Sequence, residues 1–429
     1  MIIRFTVKNF RSLRDEISLD FRTTSFDDLS EYYVQEYPAL GLRLLKLAMF
    51  IGKNASGKTN ILLAIEFLRY FILNKSADKD KPTGITPFEL DRDKDSYFDL
   101  EYVYKEVVYK YSLCLNTHKI IRESLSEAIN NELQLIFERS LKAENGTIDY
   151  AYDWSGSGAN ESLIGNLELT THTQSILTRL KDYQYSGPMQ SAYDWFKNNL
   201  AQVVLPKTDL RSWSIDKFLG KNEGKDYKAF YVKQLQNADF IVQDIEVQSK
   251  EVPFDSIPMA KILKQMAQES GQELPDTLSD REIYLHHEVS DGSFKLNLTE
   301  QSDGTIRFFE LCGFLCWAQE KNKIIMIDEI ERSMHEDLIE HFIASYLSNA
   351  RECQFLFTSQ NTSILDMHEV ISRDAIWITD RGDNGATLLT KISDYEIDNI
   401  KSLRKLYRSG TVGGTPNLGL VLKGTVDDE

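Results

Sequence analysis

The stretch GKNASGKT, Gly52 to Thr59, has glycines, a lysine and a threonine at a spacing that suits phosphate binding. It lies between an apolar run that predicts a strand and a run that predicts a helix. Glycines let the backbone amides point inward, and the helix N-terminus adds partial positive charge. We expect Lys58 to reach the β- and γ-phosphates of ATP and Thr59 to ligate Mg²⁺. A plain glycine-rich turn is the alternative. The predicted nucleotide-binding residues here are Gly52, Asn54, Ala55, Ser56, Gly57, Lys58, Thr59 and Asn60.

A pair of carboxylates, Asp328 and Glu329, follows the apolar run IIMI. On its own such a pair would be an acidic cap at a strand end. Beside a phosphate loop, however, ATP hydrolysis needs one carboxylate for Mg²⁺ and one to orient a water molecule. We therefore predict that Asp328 binds the metal and that Glu329 orients the water.

Four small or polar residues, from Ser302 to Thr305, lie at the start of an apolar-periodic helix. A serine and a glycine at this point can present a hydroxyl and backbone amides to an anion. An ordinary helix N-cap explains the same residues. Their position 25 residues or so before Asp328 favours anion binding by Ser302 and Gly304.

The stretch FTSQNTSILD, Phe357 to Asp366, is typical of a buried strand that runs into a polar turn and then a helix. Many phosphate-handling enzymes place a polar residue at such a strand end, and here it is Gln360. Glutamine offers a donor and an acceptor but cannot carry a proton's charge. Small GTPases also orient water with a glutamine and hydrolyse slowly unless assisted. We therefore predict Gln360 as a second catalytic residue in a slow ATPase.

Hydrophobic patterns predict an α/β fold in three parts. Alternating runs such as YFDLEYVY and VVYKYSLCLN predict antiparallel strands, and the continuously apolar runs in IIMIDEI and QFLFTS predict central parallel strands. Gly/Ser-rich loops between helical patterns mark a mainly helical insertion at 141–280. Residues 1–140 and 281–429 would then be two halves of one ATPase domain. We see no heptad series long enough for a coiled-coil arm.

Composition predicts a cytoplasmic globular protein of 429 residues. The net charge of −17 argues against a general surface for nucleic acid. No signal peptide or membrane-spanning run is evident. The four cysteines lack metal-ligand spacing, and we expect Cys312 and Cys316 to pack in the core.

These motifs, in this order, resemble the ABC-type ATPase head, a P-loop NTPase with a mixed sheet and an antiparallel subdomain. Within that class the chain resembles the SMC/OLD-like ATPases of bacterial anti-phage and abortive-infection loci, of the RloA and AriA type. Arg11 matches a position that lies close to nucleotide in SMC-like relatives. Further similar stretches are IIRESLSEA, LIFER, ADFIVQDIEV, QSDGT, IIMIDEIERSMH and LRKLYRSGTVGGTPN.

The resemblance implies a head-to-head homodimer or higher homo-oligomer in which Ser302 and the Gly304 amide complete the ATP site of the other protomer. His335 would lie near that interface or be structural. The resemblance further implies that the protein senses infection, with a phage-encoded trigger as a candidate signal, and that it holds or activates a separate effector, often a nuclease. An SMC- or RecF-like DNA clamp is the alternative, and a transporter motor is a third and weaker one. The acidic charge and the absence of a coiled coil count against the clamp.

The sequence departs from this family pattern in two places. The segment ITPFELDRD, residues 85–93, occupies the place of the Mg²⁺-contacting loop but has no glutamine, and Gln360 stands where a histidine is expected. Both departures predict slow turnover. Only 69 residues follow Gln360, too few for an appended nuclease domain, and DRGDNG is predicted to be a hairpin turn. Adjacent His286 and His287 would point to opposite faces of a strand.

Overall fold

The structure is a computed structural model. It describes residues 1–23, 30–75, 81–130, 132–142, 148–220, 227–256, 260–270, 274–275, 277–320, 322–367, 370–395 and 402–415.

The chain forms two compact units. The first comprises Met1–Pro206, Glu320–Glu331 and Ile343–Glu429, and the second comprises Lys207–Gln319 and Arg332–Phe342. In the described part of the chain, no helix has the length and apolar character that a membrane span requires.

A seven-stranded antiparallel sheet occupies much of the first unit. Two of its strands, Ile2–Lys8 and Ser96–Tyr104, mostly alternate between buried and more exposed residues, as expected where one face packs into the core. The strands of the sheet are β1 (Ile2–Lys8), β2 (Ile17–Asp20), β6 (Ser96–Tyr104), β7 (Val107–Leu115), β8 (Ile120–Ile129), β9 (Glu132–Leu141) and β10 (Tyr150–Asp153). The order is β10-β9-β8-β7-β6-β1-β2. The predicted antiparallel pair β6–β7 is confirmed.

A five-stranded mixed sheet carries the phosphate loop in the same unit. Its strands are β5 (Leu47–Gly52), β14 (Ile324–Ile327), β15 (Gln354–Ser359), β16 (Ile376–Arg381) and β17 (Thr387–Lys391). In the order β14-β15-β5-β16-β17 the first four run parallel and β17 is antiparallel. Every residue of β5, β14 and β15 is buried, as continuous apolar runs require. The predicted parallel strands and the α/β fold class are confirmed.

Smaller elements complete the first unit. A hairpin is formed by β3 (Val34–Tyr37) and β4 (Leu42–Leu45). The buried Gln354 joins the two large sheets, since its side chain accepts from the Ile2 amide at 2.6 Å and donates to the Ile2 and Leu45 carbonyls. The helices are α1 (Ser30–Tyr33), α2 (Lys58–Leu73), α3 (Glu161–Glu168), α4 (Ile176–Leu180), α5 (Pro188–Asn198) and α11 (Leu403–Arg408).

The second unit combines helices with a three-stranded antiparallel sheet. Tyr231 packs on Phe309 and Trp213 on Phe314, with ring centroids 5.2 and 4.9 Å apart. Its elements are α6 (Arg211–Ser214), a π turn (Ile215–Leu219), α7 (Tyr227–Asn237), β11 (Asp244–Pro253), α8 (Ala260–Ser270), β12 (Thr277–Val289), β13 (Gly292–Asn297) and α9 (Asp303–Ala318). The remaining helix, α10 (Glu336–Asn349), begins in the second unit and ends in the first. Cys312 and Cys316 are fully buried, as predicted.

The predicted three-part division stays a prediction, and the compact units divide the chain at other residues. Residues 148–206 belong to the first unit, where α4 and α5 pack against α2 and Trp195 stacks on Tyr102 with centroids 3.9 Å apart. The segment 141–280 contains α3 to α8 but also β10, β11 and the start of β12.

Two smaller interpretations are confirmed. DRGDNG is the turn between the antiparallel strands β16 and β17, with Gly385 at φ +79°. The adjacent histidines on β12 have separate partners, since His286 lies 2.9 Å from a Glu246 carboxylate oxygen and His287 stacks on Phe294.

A fully buried ion pair lies in the antiparallel sheet. Glu123 on β8 is directly opposite Arg139 on β9, with Nη2 and Oε2 2.8 Å apart and neither side chain exposed. The Tyr111 hydroxyl also donates to the Glu123 carboxylate. An exposed pair, Arg122 with Glu138, joins the same two strands on the other face.

We expect Arg139→Met to lower the free energy of unfolding by about 3–5 kcal/mol, because it leaves the Glu123 charge buried and uncompensated. The matched control Arg122→Met should cost less than about 1 kcal/mol, since exposed pairs contribute little. Urea denaturation of both variants measures the difference. Equal losses of unfolding free energy in the two variants would contradict the conclusion that the buried pair contributes more to stability than the exposed pair.

Candidate nucleotide-binding site

The phosphate loop joins the end of β5 to the start of α2, and its two glycines are required by close packing. A Cβ on Gly52 would lie 2.3 Å from the Thr379 carbonyl oxygen. Gly57 has φ +101°, and a Cβ there would meet the Thr387 hydroxyl at 1.9 Å. The hairpin β16–β17 therefore contacts the loop from outside, and only glycine fits at either contact.

Lys58 is buried at the start of α2. Its ammonium group donates to the carbonyls of Gly52 and Lys53 at 2.8 and 3.0 Å. Burial lowers the pKa of Lys58, and the negative charges of Glu331, Asp328 and Glu329 oppose that shift. The lysine is thus held against the loop with three carboxylates in its electrostatic field.

Two hydroxyl groups converge on the Asp328 carboxylate, which is 5% exposed. Thr59 Oγ1 donates to its two oxygens at 2.9 and 3.1 Å, and Thr358 Oγ1 donates to Oδ1 at 2.7 Å. A hydroxyl and a carboxylate are the oxygen donors that Mg²⁺ prefers. The structure therefore brings together the two residues predicted to hold the metal.

Glu329 and Gln360 lie next to this network. The Glu329 amide donates to Thr358 Oγ1 at 2.8 Å, and Glu329 has φ +50°. Its carboxylate accepts a hydrogen bond from Gln360 Nε2 at 2.5 Å. The Gln360 backbone amide in turn donates to Glu331 Oε1 at 2.6 Å. The two predicted catalytic side chains are thus in direct contact.

A cavity of about 480 Å³ lies over the phosphate loop, within the usual range for small-molecule sites. Its lining includes Lys58, Thr59 and Asn60, whose side chains carry hydrogen-bond donors that suit phosphate oxygens. Seven of the nine lining residues have polar or charged side chains. The lining residues are Ser12, Asn54, Ala55, Gly57, Lys58, Thr59, Asn60, Glu329 and Gln360.

A family model described as "AAA domain, putative AbiEii toxin, Type IV TA system" matches residues 47–366, which is 320 of the 429 residues. The chain belongs to this family. Two solved structures are also similar. The SMC head domain from Thermotoga maritima has 12% identity and a TM-score of 0.42, covering 92% of this chain and 99% of that one. The SmcHead bound to the C-winged helix domain of ScpA has 12% identity and a TM-score of 0.41, covering 91% and 96%. Comparison with curated proteins gives no match.

The region matched by the AAA family contains the phosphate loop, Asp328, Glu329 and Gln360. It therefore includes most of the cavity lining, and the chain carries an AAA-type ATPase domain. Arg11 and Ser12 in the turn after β1 precede the matched region, and α11 follows it.

Arg11 lies in that turn, with φ +51° and its amide donating to the Thr86 carbonyl at 2.8 Å. The neighbouring Ser12 is the residue that lines the cavity. Ser12 Oγ accepts from Asn60 Nδ2 at 2.7 Å and lies 2.7 Å from Thr387 Oγ1. The nucleotide contact of Arg11 stays a prediction.

Ser302 and Gly304 belong to the second unit of the AAA protein. Ser302 is the N-cap of α9, because its hydroxyl accepts from the Thr305 amide at 3.2 Å. A Cβ on Gly304 would meet the Ser333 carbonyl oxygen at 3.1 Å. The N-cap interpretation is thus confirmed, and anion binding by these residues stays a prediction. His335 is largely exposed, 3.3 Å from an Asp337 oxygen.

Three residues of this AAA site escaped prediction. Thr358 and Glu331 belong to motifs that were recognised, yet only the register of β15 and the turn after β14 bring them to Asp328 and Gln360. Ser12 contacts the phosphate loop region through Asn60, which lies 48 positions further along the chain. A buried threonine in the apolar run QFLFTS was the one signal in the sequence that could have pointed to Thr358.

Proposed function

We propose that this chain is an ATP-binding and slowly ATP-hydrolysing sensor and scaffold subunit of a prokaryotic anti-phage, abortive-infection system. The observation that carries the ATPase part is a continuous hydrogen-bonded path beside the cavity. It runs from Thr59 through Asp328 and Thr358 to Glu329 and Gln360. In this proposal the path would hold a metal-binding pair, Thr59 and Asp328, and a water-orienting pair, Glu329 and Gln360, on one rigid frame.

Thr59 and Asp328 are the residues that would hold Mg²⁺ in this proposal. When bound, Mg²⁺ supplies positive charge that offsets the charge developing on the phosphates. Thr358 already donates to Oδ1 of Asp328, and this hydrogen bond orients the carboxylate. The loop amides and Lys58 would bind the phosphates from the other side.

Glu329 would orient the attacking water and accept its proton. Gln360 would hold the Glu329 carboxylate in place through the hydrogen bond from Nε2. Since a neutral amide adds no charge to the transition state, this arrangement supports hydrolysis that is slow rather than absent.

The assembly part of the proposal is an ATP-dependent dimer of heads. Ser302 and the Gly304 amide, at the start of α9, would contact the γ-phosphate bound by the other protomer, where a helix N-terminus favours an anion. The nucleotide can then bias assembly only by its differential affinity for the dimer. The toxin-antitoxin wording of the family description fits a defence role with a separate effector, which we propose to be a nuclease.

Glu329→Gln should keep the contact with Gln360 but remove the base, and we expect turnover to fall by about 10²-fold or more while ATP stays bound. The fraction of dimer with ATP and Mg²⁺ should rise, as measured by sedimentation velocity. Lys58→Ala is the control that should lose nucleotide binding and dimerisation together. ATP binding at unchanged affinity in Lys58→Ala would contradict the site.

Gln360→His should raise turnover several-fold, to about tenfold, because a histidine can carry a proton's charge near the phosphate. Steady-state phosphate release measures it. Gln248→His is a matched control, because Gln248 also donates to a carboxylate, that of Glu246, but on an exposed surface of the second unit. Unmeasurable turnover in both the wild type and Gln360→His would exclude the slow-ATPase proposal.

The effector is tested by isolating tagged Glu329→Gln protein from its native host with ATP present and identifying what accompanies it. We expect a nuclease-like protein that is depleted when Lys58→Ala is used as bait. Recovery of duplex DNA alone, lost as salt rises, would instead support an SMC- or RecF-like DNA clamp and contradict the scaffold role.

A further inference from the structure

The segment after α11 packs against the outside of the phosphate loop, within the first unit. The Lys53 amide donates to the Gly414 carbonyl at 2.9 Å, and the Gly414 amide donates to Asp380 Oδ2 at 2.9 Å. Asp380 Oδ1 closes the ring through an ion pair with Lys53 Nζ at 2.7 Å. Three contacts therefore connect Lys53 in the phosphate loop, Asp380 on β16 and Gly414.

The segment leaves little freedom at Gly414. Its φ is +75°, and a Cβ would lie 2.8 Å from Ile378 Cγ2 and 3.0 Å from the Tyr407 ring. The Tyr407 hydroxyl donates to the Gly414 carbonyl at 2.5 Å. Burial, with the Asp380 charge second, raises the pKa of Tyr407 to about 12, so the phenol keeps its proton at neutral pH. The carbonyl that receives the Lys53 amide is thus itself fixed by a buried donor.

Asp380 stays charged in this arrangement. Burial alone would raise its pKa, but hydrogen bonds from Lys53 and from the Gly414 and Arg381 amides outweigh burial and lower it. A charged Asp380 can accept from Lys53 and Gly414 together.

The other end of the same helix contacts the turn that follows Gln360. Ser402 Oγ, at the N-cap of α11, donates to Asp366 Oδ1 at 2.9 Å, and Arg404 lies 3.8 Å from the other Asp366 oxygen. Asp366 ends the 3₁₀ turn Thr362–Asp366, which begins two residues after Gln360. One short segment therefore connects the phosphate loop with the strand end that carries Gln360.

We propose that Tyr407 and Gly414 are positioning residues that hold the phosphate loop, through Lys53, in the conformation that binds the phosphates of a nucleoside triphosphate. This role rests on the proposed function, because it concerns how the loop receives ATP. The loop presents its amides inward only if its outer peptide groups are satisfied elsewhere. The Lys53 amide is one of these groups, and Gly414 satisfies it.

The test compares full-length wild type with Tyr407→Phe and Gly414→Ala. Hydrogen exchange of the 52–57 amides without nucleotide should accelerate in both variants. The Kd for ATP with Mg²⁺ should rise about 2- to 10-fold in Tyr407→Phe, as expected for one lost hydrogen bond. Should Gly414→Ala fail to fold, Tyr407→Phe still decides the question.

Tyr395→Phe is the matched control, since Tyr395 also donates to this segment, to the Val412 carbonyl at 3.2 Å, but not to the residue that contacts Lys53. We expect its loop exchange and its Kd to match wild type. Equal effects of Tyr395→Phe and Tyr407→Phe, or unchanged loop exchange in Tyr407→Phe, would overturn the positioning role. Wild-type protein that binds no ATP would refute the proposed function, while the exchange result would still accept or reject the contact with Lys53.

Discussion

The geometry of the site depends on the buried carboxylate of Asp328. A buried carboxylate is tolerated only when hydrogen bonds satisfy it, and here Thr59 and Thr358 do so. Thr59 comes from the helix after β5, Thr358 from β15 and Asp328 from the end of β14. Because the sheet order is β14-β15-β5, these three elements are neighbours. Burial of one charge thus fixes the relative positions of the phosphate loop, the acidic strand and the strand that leads to Gln360.

Thr358 transmits this constraint to the neighbouring acid. Its hydroxyl donates a hydrogen bond to Asp328 and accepts one from the Glu329 amide, so the backbone of Glu329 is held in the left-handed region. Such a conformation in a residue with a side chain costs on the order of 1–3 kcal/mol and persists only where the surroundings enforce it. The Glu329 carboxylate accepts a hydrogen bond from Gln360 Nε2, and the Gln360 backbone amide donates to Glu331.

Local patterns in the sequence predicted the parts of this arrangement that depend on local physics. The glycine spacing from Gly52 to Thr59 predicted the loop, and the apolar runs predicted β14 and β15 as parallel strands. Contacts between distant segments could not be predicted from periodicity. The register that brings Thr358 to Asp328, the hairpin that excludes a Cβ at Gly52, and the approach of Gly414 to Lys53 all depend on tertiary packing. The packing of Trp195 on Tyr102, which assigns α5 to the first unit, is of the same kind.

The geometry also gives the glutamine at position 360 a physical meaning. Its amide group donates to the Glu329 carboxylate, and its backbone is held by Glu331, so both ends of the residue are engaged by acids. A protonated histidine at this position would form an ion pair with Glu329, and Glu329 would then compete with the phosphates for the histidine's positive charge. A neutral amide avoids that competition and orients Glu329 without taking or giving a proton. In the proposed ATPase, Gln360 would therefore keep the Glu329 carboxylate available as the base but would add no positive charge to stabilise the transition state. This favours a long-lived ATP-bound state over rapid turnover.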